Sequence, residues 1–374
     1  VFSDDILANH AIQKILTRSR RYEEKAVLLD TVLTAARAYI KLLLAMSNQT
    51  IHNDNIGVTR KNLEIARNKA AVGTVNAAEV SRWESEMAAN QIRLNDSHRD
   101  LLTARMSLNQ VLDRPITREF TLEDVGPDKG IELMITDPGV YRFLSNLKLA
   151  KRFSNFLVIE SDRHLPELNQ VQENIKAQER IVLNRERAMY LPDVTLKGTA
   201  DKIIEEYEAR QKTGSDLDHP WTVSLSASWP IFTGGAHTKD LAKSRYQLRQ
   251  QQLQEKNLVN LMQLDIRSKL ETAAVSAREI ALAETGNAAA SKSFEIIQAG
   301  YAQGRNSLTE LVDAQNAKLS SQQALASARY QFVLDFLEME RATGRFHFLD
   351  TPDKKQAFLL RLKEYMETTP TKDS

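Results

Sequence analysis

The chain carries Val72-Gly73-Thr74 ahead of Glu79-Val80, and repeats the pattern as Gln303-Gly304-Arg305 ahead of Glu310-Leu311. The two glycines lie 231 positions apart, and the same offset aligns Leu63-Glu64-Ile65 with Phe294-Glu295-Ile296. An internal repeat of this length predicts two copies of one supersecondary unit, each turning at its glycine.

Long stretches without helix breakers surround both turns. The 374 residues include only 13 Gly and 9 Pro, and none of them falls within residues 6–56, 74–114, 236–285 or 305–343. These stretches predict helices far longer than the ordinary ~11–12 residues. A first helix from about Asp5 to Ala71 would be about 100 Å long at 1.5 Å per residue. Ahead of the first strand, we expect one helix that continues past Pro166 to Tyr190.

Apolar residues form one stripe on the first long helix, at Leu28, Val32, Ala35, Tyr39 and Leu42. A helix with a single stripe is stable only when it packs beside others. The pattern therefore predicts antiparallel helical hairpins that pack as coiled-coil neighbours or form the wall of a tunnel. A solid helical bundle is the alternative that composition alone leaves open.

Two segments alternate with the period of a strand. Residues 221–229 place Trp, Val, Leu, Ala and Trp on one face and small hydroxylated residues on the other, and residues 191–200 also alternate. Apolar residues facing outward and small polar residues facing inward are typical of a transmembrane β-barrel wall. Val1-Phe2-Ser3 aligns with the end of the second strand, so we expect the preceding strands to be absent from this chain.

Composition and motifs argue against catalysis, metal binding and nucleic-acid binding. The net charge is +1 with 26% charged residues, whereas a nucleic-acid-binding protein typically carries an excess of basic residues. The chain has no Cys, and its seven His are scattered without metal-ligand spacing. No phosphate-binding Gly loop or nucleophile elbow occurs. We therefore predict that the protein is not an enzyme and has no cofactor and no metal.

Three sequence pieces resemble one family, the TolC-like outer membrane factors, also called outer membrane efflux proteins. The first is the strand entry at residues 190–194 (Tyr-Leu-Pro-Asp-Val), and the second is the strand exit at residues 228–235 (Ser-Trp-Pro-Ile-Phe-Thr-Gly-Gly). The third is the turn at residues 301–315, which residues 71–80 echo. The order of the pieces along the chain makes the resemblance specific.

The resemblance implies a mainly α fold with a small β portion, in which two structural repeats form a trimeric duct. Each protomer would supply β-barrel strands in the Gram-negative outer membrane and helices in the periplasm. The implied function is passive export of substrates through a tripartite efflux pump or a type I secretion system. The implied partners are the other copies in a homotrimer, a periplasmic adaptor protein, outer membrane lipid, and an inner-membrane transporter of the RND, ABC or MFS class.

The same resemblance divides the chain. It implies a first repeat at residues 1–115 with its tip at Gly73, and an equatorial linker at 116–150. A second repeat follows at 151–344, with a β-hairpin at 191–233 and its tip at Gly304, and residues 345–374 form a C-terminal equatorial or tail segment.

Candidate site residues lie at the two turns and the strands. The positive end of the helix dipole stabilises an acidic side chain on the first turn of a helix. Glu310 and Asp313 therefore also have a purely structural explanation. Arg82 stands where Asp313 predicts an acid, which suggests a contact between Arg82 and a carboxylate of the same or another protomer. The resemblance assigns aperture candidates (Glu310, Asp313, Tyr301, Glu79, Arg82), adaptor-docking tips (Val72, Gly73, Thr74, Gly304, Arg305, Asn306, Ser307) and membrane-interface candidates (Trp221, Trp229).

Two other classes of protein remain open on sequence. A non-channel periplasmic coiled-coil scaffold or adaptor would also need long helical hairpins, and its strands would be soluble. An enzyme built on a helical domain would need a convergent polar pocket, which no motif in the chain indicates.

Overall fold

The computed structural model describes residues 4–120, 122, 143–144, 146–200, 221–229 and 231–368. Its two longest helices, α1 (Asp4–Ala71) and α5 (Ala236–Ala302), have 68 and 67 residues. Each is followed by a helix of 35 residues. The remaining elements in chain order are α2 (Ala77–Val111), α3 (Leu147–His164), α4 (Pro166–Arg187), β1 (Asp193–Ala200), β2 (Trp221–Ser228), α6 (Leu308–Ala342), a 3-10 turn (His347–Leu349) and α7 (Pro352–Thr368).

The long helices begin and end close to the predicted residues, because Gly or Pro lies a few residues beyond most of their ends. One expectation was wrong: a single helix running past Pro166 to Tyr190. The structure has two helices here, and Pro166 is the first residue of α4. Proline has no amide hydrogen to donate inside a helix, whereas at the first helical position that donor is not needed.

The two strands form an antiparallel hairpin. Asp193 pairs with Ser228 at one end, and Ala200 pairs with Trp221 at the other. Both faces of β2 are exposed to solvent along its whole length. The connection at 201–220, the expected strand end at residues 1–3 and most of the 116–150 linker lie outside the described residues.

The chain divides into two compact units. Unit 1 consists of Val1–Ala26 and Pro166–Leu261. Within it, α1 and α4 are joined by an ion pair of 2.8 Å between Arg18 and Glu173, and by a hydrogen bond of 2.8 Å from Ser19 to Asn174. Polar contacts therefore contribute directly to the packing of this unit.

Unit 2 consists of Val27–Leu165 and Met262–Ser374. Its largest apolar cluster joins α3, α5, α6 and α7, with Phe153, Ile266, Phe332 and Phe358 buried in it. No helix in the described part of the chain is both long and apolar enough to cross a membrane.

Candidate functional site

Both helical hairpins of unit 2 turn through the same backbone motif. Gly73 has φ of 74° and Gly304 has φ of 72°, a region that favours glycine. The amide after each glycine donates to the carbonyl five residues earlier, at 3.0 Å from Thr74 and 2.8 Å from Arg305. This is the Schellman pattern of helix termination, which explains why both copies need glycine at this position.

The helices that follow the turns are capped differently. Asn76 caps α2, and its Oδ1 accepts from the amides of Ala78 and Glu79 at 2.7 and 3.3 Å. Ser307 caps α6 in a reciprocal capping box: its Oγ accepts from the Glu310 amide at 3.2 Å, and its own amide donates to Glu310 Oε2 at 2.7 Å. Ser-x-x-Glu before an apolar run is a sequence signal for this box, although the box was not among the predicted features.

The capping box determines the environment of Glu310. Its carboxylate accepts from the Ser307 amide and from the Asn306 side chain, and these bonds lower the pKa of Glu310 below its usual value. Glu310 is therefore ionised near neutral pH. Asp313 lies three residues further along α6 and is exposed. Their assignment to an aperture stays a prediction.

Tyr301 joins the two hairpins. Its hydroxyl donates to Glu79 Oε2 at 3.0 Å, and Lys69 Nζ donates to the Tyr301 carbonyl at 2.9 Å. The same ammonium lies 4.4 Å from the centre of the tyrosine ring. Burial raises the pKa of Tyr301, and the charge of Glu79 acts in the same direction. The phenol is therefore neutral and remains a hydrogen-bond donor at neutral pH.

An apolar cluster surrounds this contact, and we call it the tip cluster. Trp83 has no exposed surface, and only 5% of Tyr301 is exposed. Burying aromatic side chains from both hairpins holds the two turns beside each other. The buried members of the tip cluster are Leu63, Ala66, Trp83, Phe294, Tyr301, Leu311, Val312 and Ala314.

Arg82 forms an ion pair with Glu86 of the same helix at 3.3 Å. The two residues are one helical turn apart, and the arginine is largely exposed. The carboxylate that Arg82 contacts in the protomer is therefore on its own helix. Near this point the two hairpins are connected by the Tyr301 to Glu79 bond and by the Lys69 to Tyr301 bond.

The turns themselves are accessible. Val72 is 75% exposed, and the other tip candidates are exposed as well, apart from the half-buried Asn306. Asn306 packs over Gly300, where a Cβ atom would lie 1.8 Å from Asn306 Oδ1. This close approach explains the glycine at position 300, which sequence reasoning did not single out.

The membrane-interface candidates lie in unit 1. Trp221 begins β2 and is 72% exposed, and Trp229 follows the strand and is 56% exposed. Leu225, on the same alternating face, is 73% exposed. The protomer alone therefore leaves the apolar face of this hairpin uncovered.

Among the described residues, no three or more His, Asp or Glu side chains come together in an arrangement that would hold a metal ion. At their tips the hairpins present an exposed surface over a partly buried, hydrogen-bonded contact.

These features define a class: a protein of long helical hairpins with exposed tips and a small antiparallel hairpin. The sequence profile of the family described as "Outer membrane efflux protein" matches residues 164–345. This match confirms the resemblance to the TolC-like outer membrane factors, and with it the predicted location in the Gram-negative outer membrane, with the helical part in the periplasm. The proteins of this family are channels rather than enzymes.

Two individual relatives are also outer membrane proteins. The chain is 25% identical over 128 residues to Outer membrane protein TolC of Escherichia coli (strain K12), covering 34% of this chain and 26% of TolC. It is 22% identical over 331 residues to Outer membrane efflux protein BepC of Brucella suis biovar 1 (strain 1330), covering 84% of this chain and 63% of BepC. The chain thus covers less than two thirds of either relative.

A solved structure supports the fold. The open state of the MtrE outer membrane channel of Neisseria gonorrhoeae superposes with a TM-score of 0.70 at 15% identity. The superposition covers 91% of this chain and 72% of the MtrE chain. The mainly helical fold with little sheet is therefore the fold of TolC-like channels.

Proposed function

We propose that this chain forms part of an outer membrane exit duct that passively exports substrates of a tripartite efflux pump or a type I secretion system. The duct is a homotrimer that an inner-membrane transporter of the RND, ABC or MFS class supplies through a periplasmic adaptor. The family match and the shared fold support this proposal. The equal lengths of α2 and α6, 35 residues each, support two structural repeats in each protomer.

One observation carries the proposal: two hairpins end in exposed turns while a buried contact links them just behind. The Tyr301 to Glu79 bond of 3.0 Å lies close to both turns. An adaptor that binds the exposed turns can therefore act on the contact that holds the two hairpins together. Export then requires a change in the population of closed and open arrangements and no chemical step.

The exposed apolar face of the β1–β2 hairpin supports a role in the membrane. We propose that this hairpin contributes to a barrel shared by three protomers, in contact with lipid through Trp221, Leu225 and Trp229. Tryptophan at the two ends of such a face is typical of membrane–water interfaces.

Site-specific photo-crosslinking tests the docking role. A photoreactive residue at Val72 or Arg305 of the full-length protein, in its own cell, is expected to capture a periplasmic adaptor that mass spectrometry identifies. The control is the same residue at Tyr246, which is 78% exposed but far along α5 from the turn. Capture of only other copies of the chain, or equal capture of the adaptor at all three positions, would contradict docking at the tips and favour the scaffold alternative.

A further inference from the structure

A run of polar residues interrupts the apolar face of α1 within unit 2. Residues 48, 52, 55, 59 and 62 follow the alternating four- and three-residue spacing of a coiled-coil core, which is normally apolar. Here the five positions hold Asn48, His52, Asn55, Thr59 and Asn62, and we call this set the polar seam. Asn48 is half-buried, and the other four are buried.

Hydrogen bonds connect the polar seam to α6. Gln315 is central: its Nε2 donates to Asn55 Oδ1 at 2.9 Å and to Thr59 Oγ1 at 2.6 Å. Its Oε1 accepts from Asn62 Nδ2 at 3.1 Å. These bonds define a register between the helices, but water can replace each of them at modest net cost.

The polar seam lies between two apolar regions of unit 2. Toward the turns, Leu63 and Ala66 of α1 belong to the tip cluster. In the opposite direction along α1, Leu33, Ile40 and Leu43 are buried in a second apolar cluster with residues of α6. Separating apolar side chains costs about 25 cal/mol per Å² of surface exposed. The five side chains of the polar seam contribute little to this cost, although the apolar Ile56 and Val58 lie between them. Along these helices, the seam is the segment where separation is least opposed.

The packing at the seam is also incomplete. A cleft of about 610 Å³ lies beside it, and its lining includes Asn48, His52, Arg93 and Gln323. Asn48 Oδ1 and Asn55 Nδ2 are buried without a hydrogen-bond partner among the described residues. A cleft of this size with polar walls has room for water, which normally satisfies such atoms. Burial and nearby Arg93 lower the pKa of His52, which keeps its imidazole neutral near pH 7.

Two helix-interior glycines lie at the same level. Gly57 is within the seam on α1, and Gly286 is on α5. A Cβ at either position would meet nothing within 4 Å, so close packing does not require glycine there. Asn287, beside Gly286, accepts a hydrogen bond of 3.3 Å from Ser321 of α6. Glycine lowers helix stability relative to alanine and so makes both long helices easier to distort at this level.

We infer that residues 48–62 of α1 and their contacts on α6 form a hinge, at which the hairpin tips bend relative to the rest of unit 2 when the duct opens. The role in opening rests on the proposed function. The local flexibility does not, because it follows from polar packing, the cleft and the two glycines. The distance along α1 from Asn62 to the Gly73 turn is about three helical turns, so a small bend at the hinge becomes a larger displacement at the tip.

Hydrogen exchange followed by mass spectrometry tests the hinge in the full-length protein in lipid nanodiscs. Amides of residues 48–62 are expected to exchange at least tenfold faster than those of residues 33–43 of the same helix. Gly57→Ala should slow exchange of the segment about fivefold, since alanine fits without a clash and favours the helix. Thr31→Ala is the matched control: it also raises helix propensity on α1, at an exposed position far from the seam, and should leave exchange of 48–62 unchanged.

Channel recordings in planar lipid bilayers test the role in opening. The double variant Gly57→Ala, Gly286→Ala is expected to spend several-fold less time in the open state than the wild type. Exchange of 48–62 no faster than that of 33–43 would overturn the hinge. Unchanged opening of the double variant, in a wild type that conducts, would overturn its role in opening. A wild type that never conducts would instead reject the proposed function, and the exchange result would still decide whether the segment is flexible.

Discussion

The first hairpin (α1 and α2) and the second (α5 and α6) share a turn but differ in how they use it. Glu79 and Glu310 occupy the same position, the third residue after the cap of their helix. The Glu310 side chain completes the capping box of its own helix, whereas the Glu79 carboxylate accepts a hydrogen bond from the Tyr301 hydroxyl of the other hairpin. Of these two equivalent glutamates, Glu310 stabilises its own turn and Glu79 links the two turns to each other. Matching sequence positions in a repeat therefore identify equivalent backbone, and the surroundings decide the role of the side chain.

The hairpins differ at Trp83, which is fully buried, because the repeat places the smaller Ala314 at the matching position. We expect Trp83→Ala to destabilise the tip cluster by about 3–5 kcal/mol, because it removes the largest buried side chain there. Local stability from hydrogen exchange of residues 63–70 and 308–315 measures this effect. Trp221→Ala, at an exposed position, is the control. Equal effects of the two variants at the tip would show that Trp83 is not part of its core.

Substitution of either turn glycine by alanine should reduce the local stability of its turn by a similar amount. Gly73→Ala and Gly304→Ala each place a side chain at positive φ, which costs about 1–2 kcal/mol. Because the φ values are 74° and 72° and a Cβ meets nothing within 4 Å at either site, we expect the two losses to agree to within about 0.5 kcal/mol. Exchange at each turn measures them. A much larger loss at one turn would mean that the shared backbone motif is not what governs its stability.

Tyr301→Phe tests the link between the hairpins. It removes the hydroxyl that donates to Glu79 and keeps the ring in the tip cluster, so we expect a loss of about 1 kcal/mol in local stability. If the proposed function holds, the open state of the channel in planar bilayers should also become more frequent. The variant Ser307→Ala, which removes a cap within the second hairpin, is the comparison: it should affect its own turn and leave exchange around Glu79 unchanged.

The smallest effect is expected when the pH is lowered, and it concerns the local stability of the second turn. Because the folded pKa of Glu310 lies below its ordinary value of 4.5, the ionised form stabilises the second turn above about pH 4.5. This contribution is lost as the pH falls through the lowered pKa. We expect exchange at residues 304–310 to accelerate in that acidic range in the wild type and to be less pH-dependent in Glu310→Gln. The same acceleration in the variant would assign the effect to another carboxylate.

Much of the fold could be predicted from the sequence, because long helices are limited by rare residues. The bounds of α1, α5 and α6 follow from the placement of Gly and Pro, and alternation located both strands. The glycine at each turn was also predictable, since positive φ is a local requirement. The break at Pro166 was missed, although proline prefers the first position of a helix and its sequence signal was present.

The site was only partly predictable. Tyr301 and Glu79 were both candidates, but their contact spans 222 positions and depends on how two hairpins pack. Gly300 was not singled out, because its reason is the approach of the Asn306 side chain. The polar seam was also missed: Asn55 and Asn62 look like solvent-facing residues until their partner Gln315 on α6 is known.

The sequence by itself determined the long helices, the two turns, the strand hairpin and the resemblance to outer membrane efflux proteins, since each depends on residues close together in the chain. Only the tertiary structure decided which glutamate links the hairpins and which polar residues are buried between them. Such roles depend on contacts between segments hundreds of residues apart, and the pattern within one helix specifies which face is buried but not the side chain that it meets.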